Sequence, residues 1–467
     1  MSIALESLNH KVQRTAVGTM VDVALAHVRK DRQKAFAEMV DVAKQFYGDS
    51  FSEETYEHAR AVLTDADSKW SKLINCVLDQ TAPNVARTTA LNLGYEAFFR
   101  GTKTIRENRT KYHCNIPWLI LFDPTSACNM HCVGCWAGEY GNKNNLSFED
   151  MDKIITQGKE LGVYMYIYTG GEPLVRKADI IRLCEKHDDC VFLCFTNGTL
   201  IDEAFADDML RVKNFVPAIS LEGFQEPTDS RRGQGVFDKV IRAMDILHER
   251  KLIYGISSCY TSVNYESITS EEYFDMLIEK GAYFIWYFHY MPVGNDAAPE
   301  LLPNPEQREA VYRRLRDLRA RKPLFTMDFQ NDAEYVGGCI AGGRRYFHIN
   351  ANGDMDPCVF IHYSDSNIRE KTILEGLRSP LFQAYHDGQP FNNNMFQPCP
   401  MLENPHKLRD MIEKTGAKST DLQSPESAEH LCGKCDHYAE CWQGKAEQLW
   451  DEIPEERKAY VLEHNTK

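Results

Sequence analysis

"WLILFDPTSACNMHCVGC", residues 118–135, passes from an unbroken apolar run into a loop with three cysteines at C-x3-C-x2-C spacing. A short run with no polar alternation, stopped by Asp123-Pro124, reads as a strand buried on both faces of a parallel sheet. The pattern then recurs. Further strands are expected in VYMYIYTGG, VFLCFTNG, FVPAISLEG, YGISSCYT and FIWYFHYMPVG. Between them lie stretches of helical period: SFEDMDKIITQGKEL, KADIIRLCEKH, DEAFADDMLRV, FDKVIRAMDILHERK and SEEYFDMLIEKG. Alternating strands and helices give an α/β fold, a partial (β/α)6 barrel of TIM type. In such barrels chemistry gathers where strands end and loops begin, which is where Cys128, Cys132 and Cys135 stand.

Outside this core the pattern changes. Residues 1–112 are rich in Ala, Leu, Glu and Lys, with helical spacing of Val21, Val23, Ala24, Leu25 and Val28. They form a helical N-terminal domain, either packed on the barrel or serving as an amphipathic lid or substrate platform. The barrel domain takes residues 113–325. The helix PEQREAVYRRLRDLRARK closes it, and residues 326–467 form a loop-rich third domain with cysteines and a C-terminal helix. One hairpin is expected there, RYFHINANGDMDPCVF, turning at Asn352-Gly353. So few periodic apolar residues point to folding around metal.

Composition narrows the classes. With 467 residues, 43% apolar and 26% charged, the chain suits a globular protein of two or three domains. A formal charge of -15 speaks against nucleic acid. No apolar run has the length of a transmembrane segment and MSIALESLNHKVQR lacks a secretory pattern, so a cytoplasmic location is expected. Fifteen cysteines in that compartment indicate metal or redox chemistry before disulfides.

Three thiolates on one loop can bind three irons of a [4Fe–4S] cubane and leave the fourth open; the alternative is zinc with a distant ligand such as His131. With the strands around it, the loop resembles the radical S-adenosylmethionine (radical SAM) superfamily. The likeness extends over residues 115–295. Gly170-Gly171-Glu172-Pro173 after the second strand resembles the family's GGEP segment, where backbone and Glu172 receive the methionine amino group. Thr196-Asn197-Gly198-Thr199 and Ser220-Leu221-Glu222-Gly223 end the third and fourth strands like the family's TNG and S-x-D/E-G segments. Ser220 suits the methionine carboxylate or a ribose hydroxyl. Arg232 matches an arginine that pairs with that carboxylate, with Arg231 adjacent as the alternative. Tyr290-Met291-Pro292-Val293-Gly294 resembles the segment against adenine. The resemblance implies that S-adenosyl-L-methionine chelates the open iron and is cleaved by one electron to a 5′-deoxyadenosyl radical. A low-potential ferredoxin or flavodoxin would be the donor. Trp136 and the aromatic residues of YFIWYFHY are candidates for walls around the radical, or for core.

The remaining clustered cysteines are Cys339 in GGCIAGG, Cys358 four residues past Gly353, Cys399, and Cys432-x2-Cys435-x5-Cys441. They resemble the SPASM or twitch auxiliary-cluster domains, incompletely, because no cysteine follows Cys441. At least one auxiliary [4Fe–4S] cluster is implied, with Cys432 and Cys435 foremost; a zinc knuckle has the same spacing. Cys76, Cys114, Cys184, Cys190, Cys194 and Cys259 are read as small core hydrophobes, and LWDEIPEERKAYVLEH as a solvated helix. The expected function is activation of a C–H bond of an unidentified substrate, with ribosomal peptides and lipid chains both considered. The alternative is a non-catalytic iron–sulfur carrier or scaffold that keeps the barrel.

Overall fold

A computed structural model describes residues 3–28, 30–48 and 52–464. The six expected strands form: β1 (Leu119–Phe122), β2 (Met165–Tyr168), β3 (Val191–Thr196), β4 (Phe215–Ser220), β5 (Gly255–Tyr260) and β6 (Phe284–His289). They pair in parallel in chain order, each followed by the expected helices on the outer face.

Side chains alternate along each strand, and the alternation makes two cores. Ile120, Phe122, Tyr166, Tyr168, Phe192 and Ile219 face the helices. Leu119, Leu121, Ile167, Leu193 and Ala218 face the lumen and continue into the C-terminal core. Cys114, Cys184, Cys190 and Cys194 are buried in the outer layer, as expected of small hydrophobes.

The barrel is larger than the sequence pattern indicates. β7 (Phe325–Asp328) joins β6 in parallel, and β8 (Tyr346–Ile349) joins β1 in parallel on the opposite edge. β8 is also the first arm of the expected hairpin, antiparallel to β9 (Met355–Asp356), with Gly353 in the turn at φ +88°. The sheet order is therefore β7-β6-β5-β4-β3-β2-β1-β8-β9; β9 pairs only with His348 and Ile349, so the sheet is open between β7 and the first half of β8. Phe329 and Tyr346 face each other across that gap at 6.0 Å between ring centroids. β7 closes one more β/α unit, after the helix Pro305–Arg321, but went unrecognised because FTMD is short and ends on an acid; β8 went unrecognised because YFHI lies outside any β/α repeat and only long-range pairing reveals it.

The described residues between 3 and 112 are mostly helical, as expected. They dock by backbone contact: a Cβ on Gly101 would lie 2.4 Å from the carbonyl oxygen of Gly162, which ends the helix Phe148–Leu161. The C-terminal helices are Ala428–Asp451 and Glu455–His464. They are largely solvated, with Asp451, Glu452, Glu455, Glu456 and Tyr460 exposed, and one face is buried through Leu449 and Val461.

Candidate active site

One cavity collects most of the candidate residues. Cys128, Cys132 and Cys135 line it with Gly170, Gly171, Glu172, Asn197, Ser220, Arg231, Arg232 and Met291. Alternate residues of β6 and its extension, Trp286, Phe288 and Tyr290, share the wall with Trp136, while Tyr283, Ile285 and Tyr287 are buried away from it. The lumen residues Leu119, Leu121 and Ile167 close the floor.

The cysteine loop is held on three sides. Against the end of β2, Gly171 N donates to Thr125 O (3.0 Å) and Glu172 N to Ala127 O (2.8 Å). A Cβ on Gly171 would meet Ala127 O at 2.2 Å, so the glycine pair is required by the approach of protein backbone to the root of the loop. Against β3, Asn129 donates to Thr199 Oγ1 (2.9 Å) and accepts from Asn197 Nδ2 (2.8 Å). Against the helix Gln225–Arg232, Val133 N donates to Arg231 O (3.0 Å). Gly134, at φ +62°, presses on the Tyr290 ring.

Glu172 and Glu222 are placed differently from each other. Glu172 lines the cavity, but its carboxylate already accepts from Leu174 N (3.0 Å), Thr196 Oγ1 (2.6 Å) and Asn197 N (2.7 Å). It ties β2 to β3; burial raises its pKa despite these donors. Glu222 lies behind the wall, fully buried, and accepts from Arg231 Nη1 (2.7 Å) and Arg232 Nε (2.8 Å). Burial pushes its carboxyl up, and the two guanidinium groups outweigh that and hold it below the usual range. Arg231 and Arg232 thus act together, with Arg232 Nη1 free of hydrogen bonds among the described residues. Pro173 is buried at the start of a 3-10 turn behind the cavity. Cys259, read as core, borders the cavity instead.

Sequence reasoning missed Asn129, Ser257 and the buried polar group beneath the cavity. Their signal was an amide inside a cysteine loop and acids ending an apolar strand. Asp123, at the end of β1, accepts from Thr169 Oγ1 (2.6 Å) and pairs with His348 Nε2 (2.9 Å). His348 Nδ1 faces Asp356 at 3.3 Å, and Tyr140 donates to Asp356 Oδ2 (3.2 Å). Trp136 covers this group edge-on at 5.9 Å from His348. Burial pushes the His348 pKa down, but Asp123 and Asp356 outweigh it and lift it to about 9. A histidine pKa raised on folding stabilises fully below its unfolded value of 6.5, and that stabilisation fades as pH rises through 9. The stability difference between wild type and His348→Gln is therefore expected to narrow by about 3 kcal/mol over that window, read from denaturant midpoints.

The six C-terminal cysteines divide. Cys358, Cys432 and Cys435 are buried in the C-terminal core, with Cys339 and Cys399 packed against it. Burial, then Glu403 and the neighbouring Cys339, push the Cys399 thiol up. Tyr385 has Cys339, Cys358, Cys399 and Cys432 around it. Cys441 sits apart, exposed and 3.6 Å from His437 Nε2. On a helix, positions three apart share a face and positions six apart do not.

Among the described residues no three His, Cys, Asp or Glu side chains close on the spacing of a single metal ion. A cubane asks for something else: each thiolate takes its own iron, so the thiols stand apart around a shared space. Three thiols on one cavity, with the Arg231 and Arg232 guanidinium groups beside Cys132 and apolar residues on the other walls, fit such a group and a bound sulfonium amino acid. His131 is exposed and outside the cavity wall, and does not complete a zinc site there. Asn129→Ala, which frees the loop from β3, is expected to lower cluster occupancy or turnover by ~10–100-fold, measured as bound iron and 5′-deoxyadenosine formed.

Comparison with known proteins agrees. The family profile of the Radical SAM superfamily matches residues 122–278. The Fe-coproporphyrin III synthase of Methanosarcina barkeri is 28% identical over 58% of this chain and 79% of its own. The GTP 3′,8-cyclase of Desulforamulus reducens is 25% identical over 53% of this chain and 83% of its own. The crystal structure of Streptococcus suis SuiB bound to S-adenosylmethionine shares the fold, with a TM-score of 0.53 and 18% identity over 87% of this chain and 93% of that one. Residues 122–278 are thus a radical SAM domain, and such a domain works with a [4Fe–4S] cluster and S-adenosyl-L-methionine.

Proposed function

We propose that the cavity binds and reductively cleaves S-adenosylmethionine on a cluster held by Cys128, Cys132 and Cys135, and that a substrate C–H bond is activated in the apolar lumen below. The cofactor pair supplies the 5′-deoxyadenosyl radical; the chain's own residues bind, orient and keep water out. Backbone at Gly170-Gly171, Ser220 and Arg232, with Arg231 beside it, hold the methionine end, and Met291 faces the adenine side. Asn197 fixes Asn129 and so the loop. Glu172 and Glu222 position these groups, and Pro173 sets the turn behind them.

The observation that carries this reading is the meeting of three thiols and two arginines on one cavity whose other walls are Leu121, Ile167, Phe195, Trp286 and Phe288. Apolar walls exclude water from a reactive intermediate and offer no competing proton donor. The substrate remains the open part: relatives are named for tetrapyrrole and GTP chemistry, and SuiB was also crystallised with its precursor peptide SuiA.

An auxiliary [4Fe–4S] cluster at Cys339, Cys358 and Cys399 with Cys432 or Cys435 belongs to the same reading, with Cys441 left out. Boundaries at 112 and 325 follow the change from helices to barrel and from barrel to cysteine-rich segment, with β8 crossing back into the sheet. A ferredoxin or flavodoxin supplies the electron. Among the described residues no helix is long and apolar enough to cross a membrane, in keeping with a cytoplasmic enzyme. The test is anaerobic reconstitution, dithionite reduction and chromatography for 5′-deoxyadenosine, with iron analysis. Product and roughly eight irons per chain are expected; no product overturns the reading, and roughly four irons overturn the auxiliary cluster.

A further inference from the structure

Beside the catalytic cavity lies a larger hollow of about 680 Å³, between the helix Lys69–Gln80, β7 and residues 335–340. Its volume is that of a site for a small organic molecule. Trp70, Leu73, Leu324, Phe325 and Met327 line it, and Trp70 meets Phe325 at 6.0 Å. Phe325 is 44% exposed at its mouth, although it belongs to a barrel strand.

Trp286, Phe329 and Ile340 line both this hollow and the catalytic cavity. One layer of side chains thus divides the two, at the place where β7 and β8 fail to pair.

The basic groups around the hollow are paired with acids, with one exception, and the buried Asp328 is held by the backbone (3.2 Å) and side-chain amide (2.8 Å) of Asn331. Arg319 binds Asp332 through both nitrogens at 2.9 Å, Arg316 reaches Glu334, and Lys322 binds Glu271 (2.9 Å) and Asp275 (2.5 Å). Lys69 has no carboxylate partner among the described residues. Its ammonium donates to the Arg319 carbonyl and lies 4.6 Å from the Trp70 ring centroid, half-buried at the edge of the apolar surface.

We propose that this hollow is the substrate's entrance and seat: the enzyme takes a straight-chain carboxylic acid, its head on Lys69 and its chain passing between Phe329 and Ile340 into the lumen. The proposal rests on the reading of the cavity as the radical site. A single unpaired ammonium matches one negative charge, so a carboxylate suits it better than a phosphate. An opening one side-chain layer deep between two strand edges suits a chain and opposes a planar macrocycle with several acids.

The test uses the reconstituted holoenzyme and the fluorescent chain cis-parinaric acid, with its methyl ester, an alkyl phosphate and coproporphyrin III as competitors. Parinarate is expected to bind with its emission enhanced, and saturated acids to displace it about two- to fourfold better per added methylene until the lumen is filled. Lys69→Glu is expected to weaken binding about tenfold or more, and Lys69→Arg to retain it. Leu73→Gln, which leaves the head site intact, is expected to weaken acid and ester alike. Tighter binding of the phosphate or porphyrin, or indifference to Lys69→Glu with Lys69→Arg equally unchanged, overturns the proposal. If 5′-deoxyadenosine forms but no chain binds, the entrance assignment falls and the radical reading stands; if chains bind and no 5′-deoxyadenosine forms, the radical reading falls and so does the substrate role.

Discussion

Cys132→Ala is expected to reduce formation of 5′-deoxyadenosine to background while the protein stays folded. Cys132 lines the cavity beside Arg231 and Arg232, in a loop whose backbone is fixed by β2, β3 and the helix Gln225–Arg232. Those anchors involve Ala127, Asn129 and Val133, none of which needs the thiol. Removing one sulfur therefore leaves the loop's frame and takes away one of three iron ligands, and a cubane with two protein ligands at its base is not retained. The checks are iron content, the absorbance of the reduced and oxidised protein, and chromatography of the SAM products. Cys135→Ala should behave alike. Equal 5′-deoxyadenosine from wild type and variant would show that the chemistry occurs elsewhere.

Arg308→Met is expected to cost about 3–5 kcal/mol of stability and to empty the auxiliary site. Arg308 is fully buried in the helix Pro305–Arg321. It donates to Glu403 (2.7 Å), Asn331 (3.0 Å) and Tyr438 (3.3 Å), and its guanidinium carbon lies 4.1 Å from the Trp442 ring centroid. The other oxygen of Glu403 accepts from Cys399 N (2.8 Å). Methionine fills the space but strands a buried carboxylate, the costly half of a broken pair. The Cys399 turn then loses its anchor. Arg308→Met combined with Glu403→Gln should recover part of the loss, because no unpaired charge remains. Denaturant midpoints and iron per chain read both effects.

The barrel was legible because a buried parallel strand followed by an amphipathic helix leaves a repeating local signal, as in WLILFDP and VYMYIYTGG. The cysteine loop and the GG of Gly170-Gly171 were legible by spacing and by position after strands. Which way a side chain faces was not. Glu222 and Arg232 were both read as cofactor-binding residues, and Arg232 lines the cavity, yet Glu222 lies behind it and holds two arginines; the helix Gln225–Arg232 after β4 decides that. Cys432 and Cys435 stood foremost by their spacing, with Cys441 also counted as a candidate, and the single helix Ala428–Asp451 puts that third cysteine on another, exposed face. Asp123 and His348 are 225 residues apart and meet only because β8 lies beside β1.

That last pairing has a consequence for how the protein is made. β1 is the first barrel strand to leave the ribosome, and its second neighbour, β8, is among the last. Until the cysteine-rich segment emerges, one edge of β1 carries unsatisfied amides, a template for aggregation. A chain cut after residue 325 loses β8 and nearly all of β7 and is expected to carry an open flank, with maturation of the cofactor loop waiting on synthesis of the far end.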